Sequence, residues 1–439
     1  MTKLQRVFFL GGQLGLMLLV RFFLQWITFF ATQKGPVGTP SAGLALFSAG
    51  LVGTTLLVFR IFDGAIDPVA GALSDGWVRK GRERRQLLWY AFLIPPVGLA
   101  LIFLPSHDMS ETLRWTSLLS GMFIFFVGYT FYAIPYWSLV ADYAQGDEGT
   151  NRVLSTLLGA GILLATAAGF VLSPILVEKY GYFNAAMCFL IPATVLMVLP
   201  YFAQPKNLVR VEPDSVAAAP PMLESLALAF KHKRFLGVMI IFAGSQMSLT
   251  MMTMAAPFMA VQILQGSEGD VSLLMGPFLG VAILCFAVTP WFSRQFGWQR
   301  AIAIASIALG VVYCLTGALG QTLVHSPMAT AMVIFGFGGP MVAVLLGLEG
   351  EAITACADER GGDSVSIYFG VYNFVVKAMN GVATMVIGLL ADRAIQTGDV
   401  GGLVGEAAVR TMSFVAGGCL FFGVVLYYAI GAHRIDRSS

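Results

Sequence analysis

Charge is scarce in this chain: Asp, Glu, Lys and Arg make up only 11% of its 439 residues, against 57% hydrophobic residues. A water-soluble domain carries about a quarter charged residues, so a charge-coated aqueous surface is excluded. The small net charge of +2 gives no nucleic-acid signal. Cysteine is scarcer still. Cys188, Cys285, Cys314, Cys356 and Cys419 stand singly in or beside apolar runs, which excludes a CxxC metal site and a disulfide framework and leaves them as small packing hydrophobes. The four histidines, His107, His232, His325 and His433, fall in expected loops or near span ends, so no imidazole relay runs through the apolar segments. Also missing are G-x-S-x-G, H-E-x-x-H and a phosphate-cradling loop, and no filter loop or ring of like charges is visible. Enzyme and channel readings therefore recede, and no cofactor is expected.

What the sequence has in abundance is long apolar runs. A helix crosses the hydrocarbon core with about 20 such residues. Twelve spans are expected at about 7–31, 43–72, 86–104, 115–141, 152–177, 182–203, 235–264, 271–292, 300–320, 327–356, 364–393 and 408–432. The first continues from Val7 past Arg21 to about Ala31, too long for the core of a cleavable signal. Between spans six and seven lies "QPKNLVRVEPDSVAAAPPMLESLALAFKHKR" (204–234), read as a cytoplasmic linker with a short interfacial helix at Met222–Phe230. The expected organisation is a six-helix bundle at 1–203, the linker at 204–234, and a second six-helix bundle at 235–439.

The two halves echo each other. "GALSDGWVRKGRERRQLL" after span two is matched by "TPWFSRQFGWQRAIAI" after span eight, and "YWSLVADYAQGDEGTNRVLS" by "GLEGEAITACADERGGDSVS". Two related six-helix halves form the architecture of many secondary transporters, with the site near mid-membrane. Lysine and arginine crowd one side of this topology, above all Arg79–Arg85 and the linker, while the other side holds Lys34, Arg114, Lys179, Arg393 and Arg410. The positive-inside rule then puts both termini in the cytoplasm.

Charges inside the spans point to function, because each costs several kcal/mol in lipid. Asp63 and Asp67 are four residues apart and share a helix face, with Arg60 one turn earlier. Arg60 can neutralise Asp63, but a second acid needs a second cation. Lys377, deep in "SIYFGVYNFVVKAMNGVATMVIGLL", supplies one. Two close carboxylates repel when ionised, and a sodium ion or proton relieves that repulsion, so occupancy can bias conformation as coupling requires. Arg21 in span one either adds a positive charge that attracts an anionic solute group, or pairs with Glu349 or Glu351, or snorkels. Asp75, at the mouth of the basic loop, is either a conformational latch or a structural cap. Tyr129, Tyr132 and Tyr136 share a face beside Ala133, as an aromatic wall for a sugar ring or acyl chain or as packing.

"RIFDGAIDP", followed by G-x-x-x-D and the R-x-G-R cluster, resembles the glycoside–pentoside–hexuronide:cation symporters, the melibiose-permease branch of the major facilitator superfamily. "YTFYAIPYWSLV" is similar to that family's fourth helix and "FGVYNFVVK" to its eleventh. The resemblance implies the major facilitator fold, Asp63 and Asp67 as cation carboxylates with Thr130 as an oxygen ligand, Lys377 between cation and solute, and Trp137 near the sugar; Trp137 alone reads equally as an interfacial anchor. Arg60 and Asp75 are assigned to gating. Two sugar-gripping acids of the family are missing: Ala133 stands at one position, and helix one carries only Arg21. Ile66 replaces a common asparagine before the second acid. The expected protein is thus an all-α, twelve-helix bacterial inner-membrane symporter, acting as a monomer in the bilayer on a small sugar-like, glycoside or uronide solute. An anionic amphiphile such as a lysolipid is the alternative solute.

Overall fold

The computed structural model describes residues 1–39, 41–145, 147–205, 231–319, 327–358, 365–396 and 403–431. The linker helix expected at Met222–Phe230 and the histidines His325 and His433 lie outside these residues. The helices are α1 (Lys3–Ala31), α2 (Ala49–Arg79), α3 (Arg85–Ala91), α4 (Ile94–Phe103), α5 (Glu111–Ala144), α6 (Glu148–Val198), α7 (Lys233–Phe258), α8 (Val271–Phe286), α9 (Thr289–Phe296), α10 (Trp298–Gly317), α11 (Pro327–Asp358), α12 (Val365–Gln396) and α13 (Leu403–Ala429). Ten helical stretches among the described residues are long and apolar enough to cross a bilayer. One of them, α6, holds two of the expected spans, divided at Gly181, whose φ of 75° lies in the left-handed region that glycine adopts without penalty. The shorter apolar helix α8 stands at the eighth expected span. The architecture is therefore the all-helical, multi-span one that the apolar runs predict.

Boundaries differ where proline intervenes. The third expected span is two helices, because Pro95 and Pro96 open α4. The eighth is likewise divided, with a proline in the first turn of α9. Proline lacks the N–H a continuing helix needs but fits a first turn, where that N–H has no partner. Span two begins six residues later than the hydropathy suggests, since residues before it fold back, Leu46 N donating to Gln33 O at 2.8 Å.

The chain divides into two compact units. The first comprises Met1–Leu46 and Phe62–Ala219. Here α1 runs along α6, and α4 packs on α5. Helix α1 is buried through most of its length from Phe9 to Ala31, so its few polar groups must find protein partners. Trp26 Nε1 donates to Ser173 Oγ at 2.8 Å on α6.

The second unit comprises Phe47–Ile61 and Pro220–Ser439, and so includes the first part of α2. In it α7 packs on α13 and α12, α8 on α11, and α10 on both α11 and α13. The α10–α13 crossing rests on Gly310 and Gly417: a Cβ at Gly417 would fall 2.8 Å from the Gly310 carbonyl and 2.6 Å from Cys314 Sγ. Small residues allow this backbone approach, a main source of helix association in membranes. Asp392, late in α12, takes the place of an N-cap for α2. It accepts from Ser48 Oγ at 2.5 Å, Ala49 N at 2.7 Å and Gly50 N at 2.9 Å, serving backbone donors that a helix start leaves without partners.

Candidate functional site

In the first unit α2 presents Asp63 and Asp67 to α5. Thr130 Oγ1 donates to Asp63 Oδ1 at 2.7 Å, and Asp67 Oδ1 is 3.4 Å from the same hydroxyl. Asp63 and Thr130 are fully buried, while Asp67 is half-buried. The direction of this bond is informative. Thr156, Thr166 and Thr194 return their hydroxyls to the carbonyl four residues earlier on their own helix, the usual habit of mid-helix threonine. Thr130 reaches across to another helix instead. Pro68 follows Asp67 inside α2; lacking an N–H, it leaves the Gly64 carbonyl without its helical donor. Two carboxylates and a hydroxyl thus collect where α2 meets α5, on a stretch of α2 whose Gly64 carbonyl lacks its helical donor. These are hard oxygen donors, suited to a small cation or a proton.

The aromatic residues of α5 divide. Tyr132 and Tyr136 are fully buried. Their hydroxyls donate to Met197 O at 2.7 Å and Phe9 O at 2.5 Å, and the Tyr136 oxygen also accepts from Gln13 N at 3.2 Å. Gly12 makes room for both rings against α1. Tyr129 is 9% exposed and meets Trp137 edge to face at 6.3 Å. Trp137 is half-buried and donates from Nε1 to Gln13 Oε1 at 2.8 Å. Gln13 is a residue that sequence reasoning missed: in helix one, where an acid was expected, a buried amide partners the tryptophan. Its signal was that of one of two amides, with Gln25, in an apolar run. Arg21 is half-buried on α1, its stem against Gly169 of α6.

At the end of α2 a second polar node forms. Arg84, 7% exposed, donates from Nε to Asp142 Oδ2 at 2.9 Å and from a terminal nitrogen to Asp75 Oδ1 at 2.8 Å and Ser74 Oγ at 2.6 Å. Asp75 is therefore ion-paired, and the arginine that holds it had been read as one of several topological anchors. Counting basic residues cannot single out the buried one.

In the second unit Arg60 is buried on α2 with its stem against Gly381 of α12. Lys377 stands on α12, half-buried. The two glutamates weighed as partners for Arg21 have partners within this unit: Gln246 Nε2 donates to Glu349 Oε2 at 2.9 Å, and Ser293 Oγ to Glu351 at 3.2 Å. Thr250, one turn after Gln246 on α7, donates to Asn380 Oδ1 at 2.8 Å on α12. These mid-helix pairs were not singled out from sequence either.

A family model described as MFS/sugar transport protein matches residues 8–429. The chain is 23% identical over 368 residues to the isoprimeverose transporter of Lactiplantibacillus pentosus, covering 78% of this chain and 72% of the relative. It is 28% identical over 180 residues to the putative glycoside/cation symporter YagG of Escherichia coli (strain K12), covering 39% of this chain and 38% of the relative. Among solved structures, a proton dependent oligopeptide family transporter aligns with a TM-score of 0.63 at 11% identity, covering 96% of this chain and 99% of the other. The nucleoside transporter NupG aligns with a TM-score of 0.58 at 15% identity, covering 96% and 99%. At such identities these structures speak for the fold alone.

Proposed function

Since the chain belongs to the MFS/sugar transport protein family, and is a multi-span transporter rather than an enzyme, we propose that it is a symporter that couples a sodium ion or proton to uptake of a small glycoside-like solute. The observation that carries this reading is the Thr130 hydroxyl set between Asp63 and Asp67. With both acids ionised, their repulsion opposes close approach; a proton on one, or a sodium ion among their oxygens, removes it. Cation binding thereby favours one conformation of the transporter over another, which is the requirement for coupling by alternating access. The Gly64 carbonyl adds an oxygen for sodium, whereas a proton needs only a carboxylate.

On the solute side, Trp137 and Tyr129 offer aromatic faces, with Gln13 holding the indole. Lys377 acts in solute binding and coupling, Arg21 adds positive charge on α1, and Arg60 and the Arg84–Asp75 pair act in gating. Tyr132 and Tyr136 contribute by fixing α5 against α1. The names of both relatives favour a glycoside over an anionic amphiphile. The distribution of lysine and arginine supports both termini in the cytoplasm, and a bacterial inner-membrane location is part of the same reading.

Reconstitution into proteoliposomes tests the proposal. An imposed inward sodium or proton gradient should drive accumulation of a glycoside above equilibrium, and the ion that does so identifies the coupling. Solute flux indifferent to both gradients would remove coupling from the reading.

A further inference from the structure

The second unit holds four polar side chains on three helices: Gln246 and Thr250 on α7, Glu349 on α11 and Asn380 on α12. Gln246 bonds to Glu349 and Thr250 to Asn380, and since Gln246 and Thr250 are four residues apart they share a helix face. All four are half-buried, and Gln246, Thr250 and Asn380 lie near the middle of their helices. Polar groups with accessible surface at that level do not face acyl chains, where a carboxylate costs about 2.5–3.5 kcal/mol even on the mildest scale; they face water or a solute.

Their bonding capacity is only partly used. Among the described residues, Asn380 Nδ2 makes no hydrogen bond while its Oδ1 accepts from Thr250, and the Gln246 amide lies beside both Glu349 and the Tyr372 hydroxyl. Glu349 accepts from Gln246 and has the Tyr372 hydroxyl beside it, yet a carboxylate offers about four acceptor sites. Lys377 lies one turn before Asn380 on α12. Accessible acceptors and donors side by side, with a carboxylate among them that repels anions, suit uncharged groups that both donate and accept, as hydroxyls do. A carboxylate acceptor makes the strongest bonds to them.

We infer that Gln246, Thr250, Glu349 and Asn380 form a solute-binding set for the hydroxyl groups of an uncharged glycoside, with Glu349 supplying a carboxylate grip. The inference rests on the symporter reading above and adds the solute's charge class.

Binding of neutral 4-nitrophenyl glycosides of xylose, glucose and galactose, and of 4-nitrophenyl glucuronide, is measured on the purified full chain and on Glu349→Gln and Asn380→Ala. A hydrogen bond to a charged group is worth about 1.5–3 kcal/mol, so Glu349→Gln should weaken the preferred neutral glycoside roughly ten- to a hundredfold. It should leave the glucuronide unweakened, and the thermal shift produced by sodium unchanged. Asn380→Ala should weaken the neutral glycoside by a smaller factor, and it carries the test if Glu349→Gln does not fold. Neutral-glycoside affinity within twofold of wild type in the folded variants would overturn the site while leaving the symporter reading intact. A wild-type protein that binds only the glucuronide overturns the inference and redirects the solute class. Binding of none of the four sugars removes the glycoside reading and this site together.

Discussion

Thr130 donates its hydroxyl to Asp63 at 2.7 Å, joining α5 to α2 at the most deeply buried acid among the described residues. Thr130→Val keeps the shape and removes the hydrogen bond. The loss of a bond to a charged acceptor amounts to about 1.5–3 kcal/mol, so cation affinity should fall roughly ten- to a hundredfold and gradient-driven uptake with it. Thr130→Ser should restore most of the activity. The check is uptake together with the cation-induced thermal shift; a Val variant equal to wild type in both would dissociate this hydroxyl from the cation site.

Asp63 and Asp67 differ in burial, and their amides should differ in consequence. Asp63→Asn and Asp67→Asn both remove a charge the cation requires, so neither variant should accumulate solute uphill. Asp63→Asn should also shift thermal stability more, because Asp63 is fully enclosed and Asp67 half-exposed. Insertion into the membrane should be unaffected in both. Undiminished uphill uptake by the two variants would refute the coupling assignment.

Twelve spans were legible because apolar length is written directly in composition, and Asp63 and Asp67 because a charge in lipid stands out at any resolution. Thr130 is different: threonine is common in these spans, and only the family resemblance singled it out. Arg84 was hidden among neighbouring basic residues, since burial is decided by the Asp142 it meets from α5. Gln13 and the Gln246–Glu349 pair were hidden for a related reason. A polar residue declares its role through the partner it reaches, and that partner lies more than a hundred residues away. The helix break at Pro95 was blurred because hydropathy continues across it even where the backbone does not, whereas the break at Gly181 falls between two expected spans.

The Arg84 node should be a stability element as well as a gate. Removing the guanidinium leaves Asp75 and Asp142 facing each other without a counter-charge. Breaking a buried pair costs about 3–5 kcal/mol, and the lower end applies here because the Asp75 side chain is 34% exposed. Arg84→Ala should therefore lower the thermal midpoint clearly. Asp142→Asn in the same background should recover part of the loss, and a double-mutant cycle between the two positions measures the coupling. Additive effects would mean that the contact contributes nothing beyond its members.

Asp392 holds the first turn of α2 through a hydroxyl and two backbone amides. Loss of a helix cap costs about 0.5–2 kcal/mol. Asp392→Ala should fall in that range by thermal unfolding and should speed hydrogen exchange at Ala49 and Gly50 selectively. Asp392→Asn keeps one acceptor oxygen and should lie between. Unchanged exchange at these amides would show that the α2 start is held by packing alone.

Gln13 occupies the step between stability and specificity. Its Oε1 accepts the Trp137 indole N–H at 2.8 Å, and the amide is 1% exposed. Gln13→Leu removes that acceptor while filling similar space. A buried donor left without a partner costs about 1–3 kcal/mol, so the variant should lose stability, with a red or blue shift in Trp137 emission reporting the freed indole against a Trp137→Phe control. Gln13→Glu keeps the acceptor and adds a charge beside Tyr129 and Trp137. If this face meets the solute, the new carboxylate should strengthen binding of a neutral glycoside and weaken a glucuronide, because carboxylates bind hydroxyls and repel their own kind. Equal effects on both sugars would place Gln13 in the packing of α1 against α5 and assign solute recognition elsewhere.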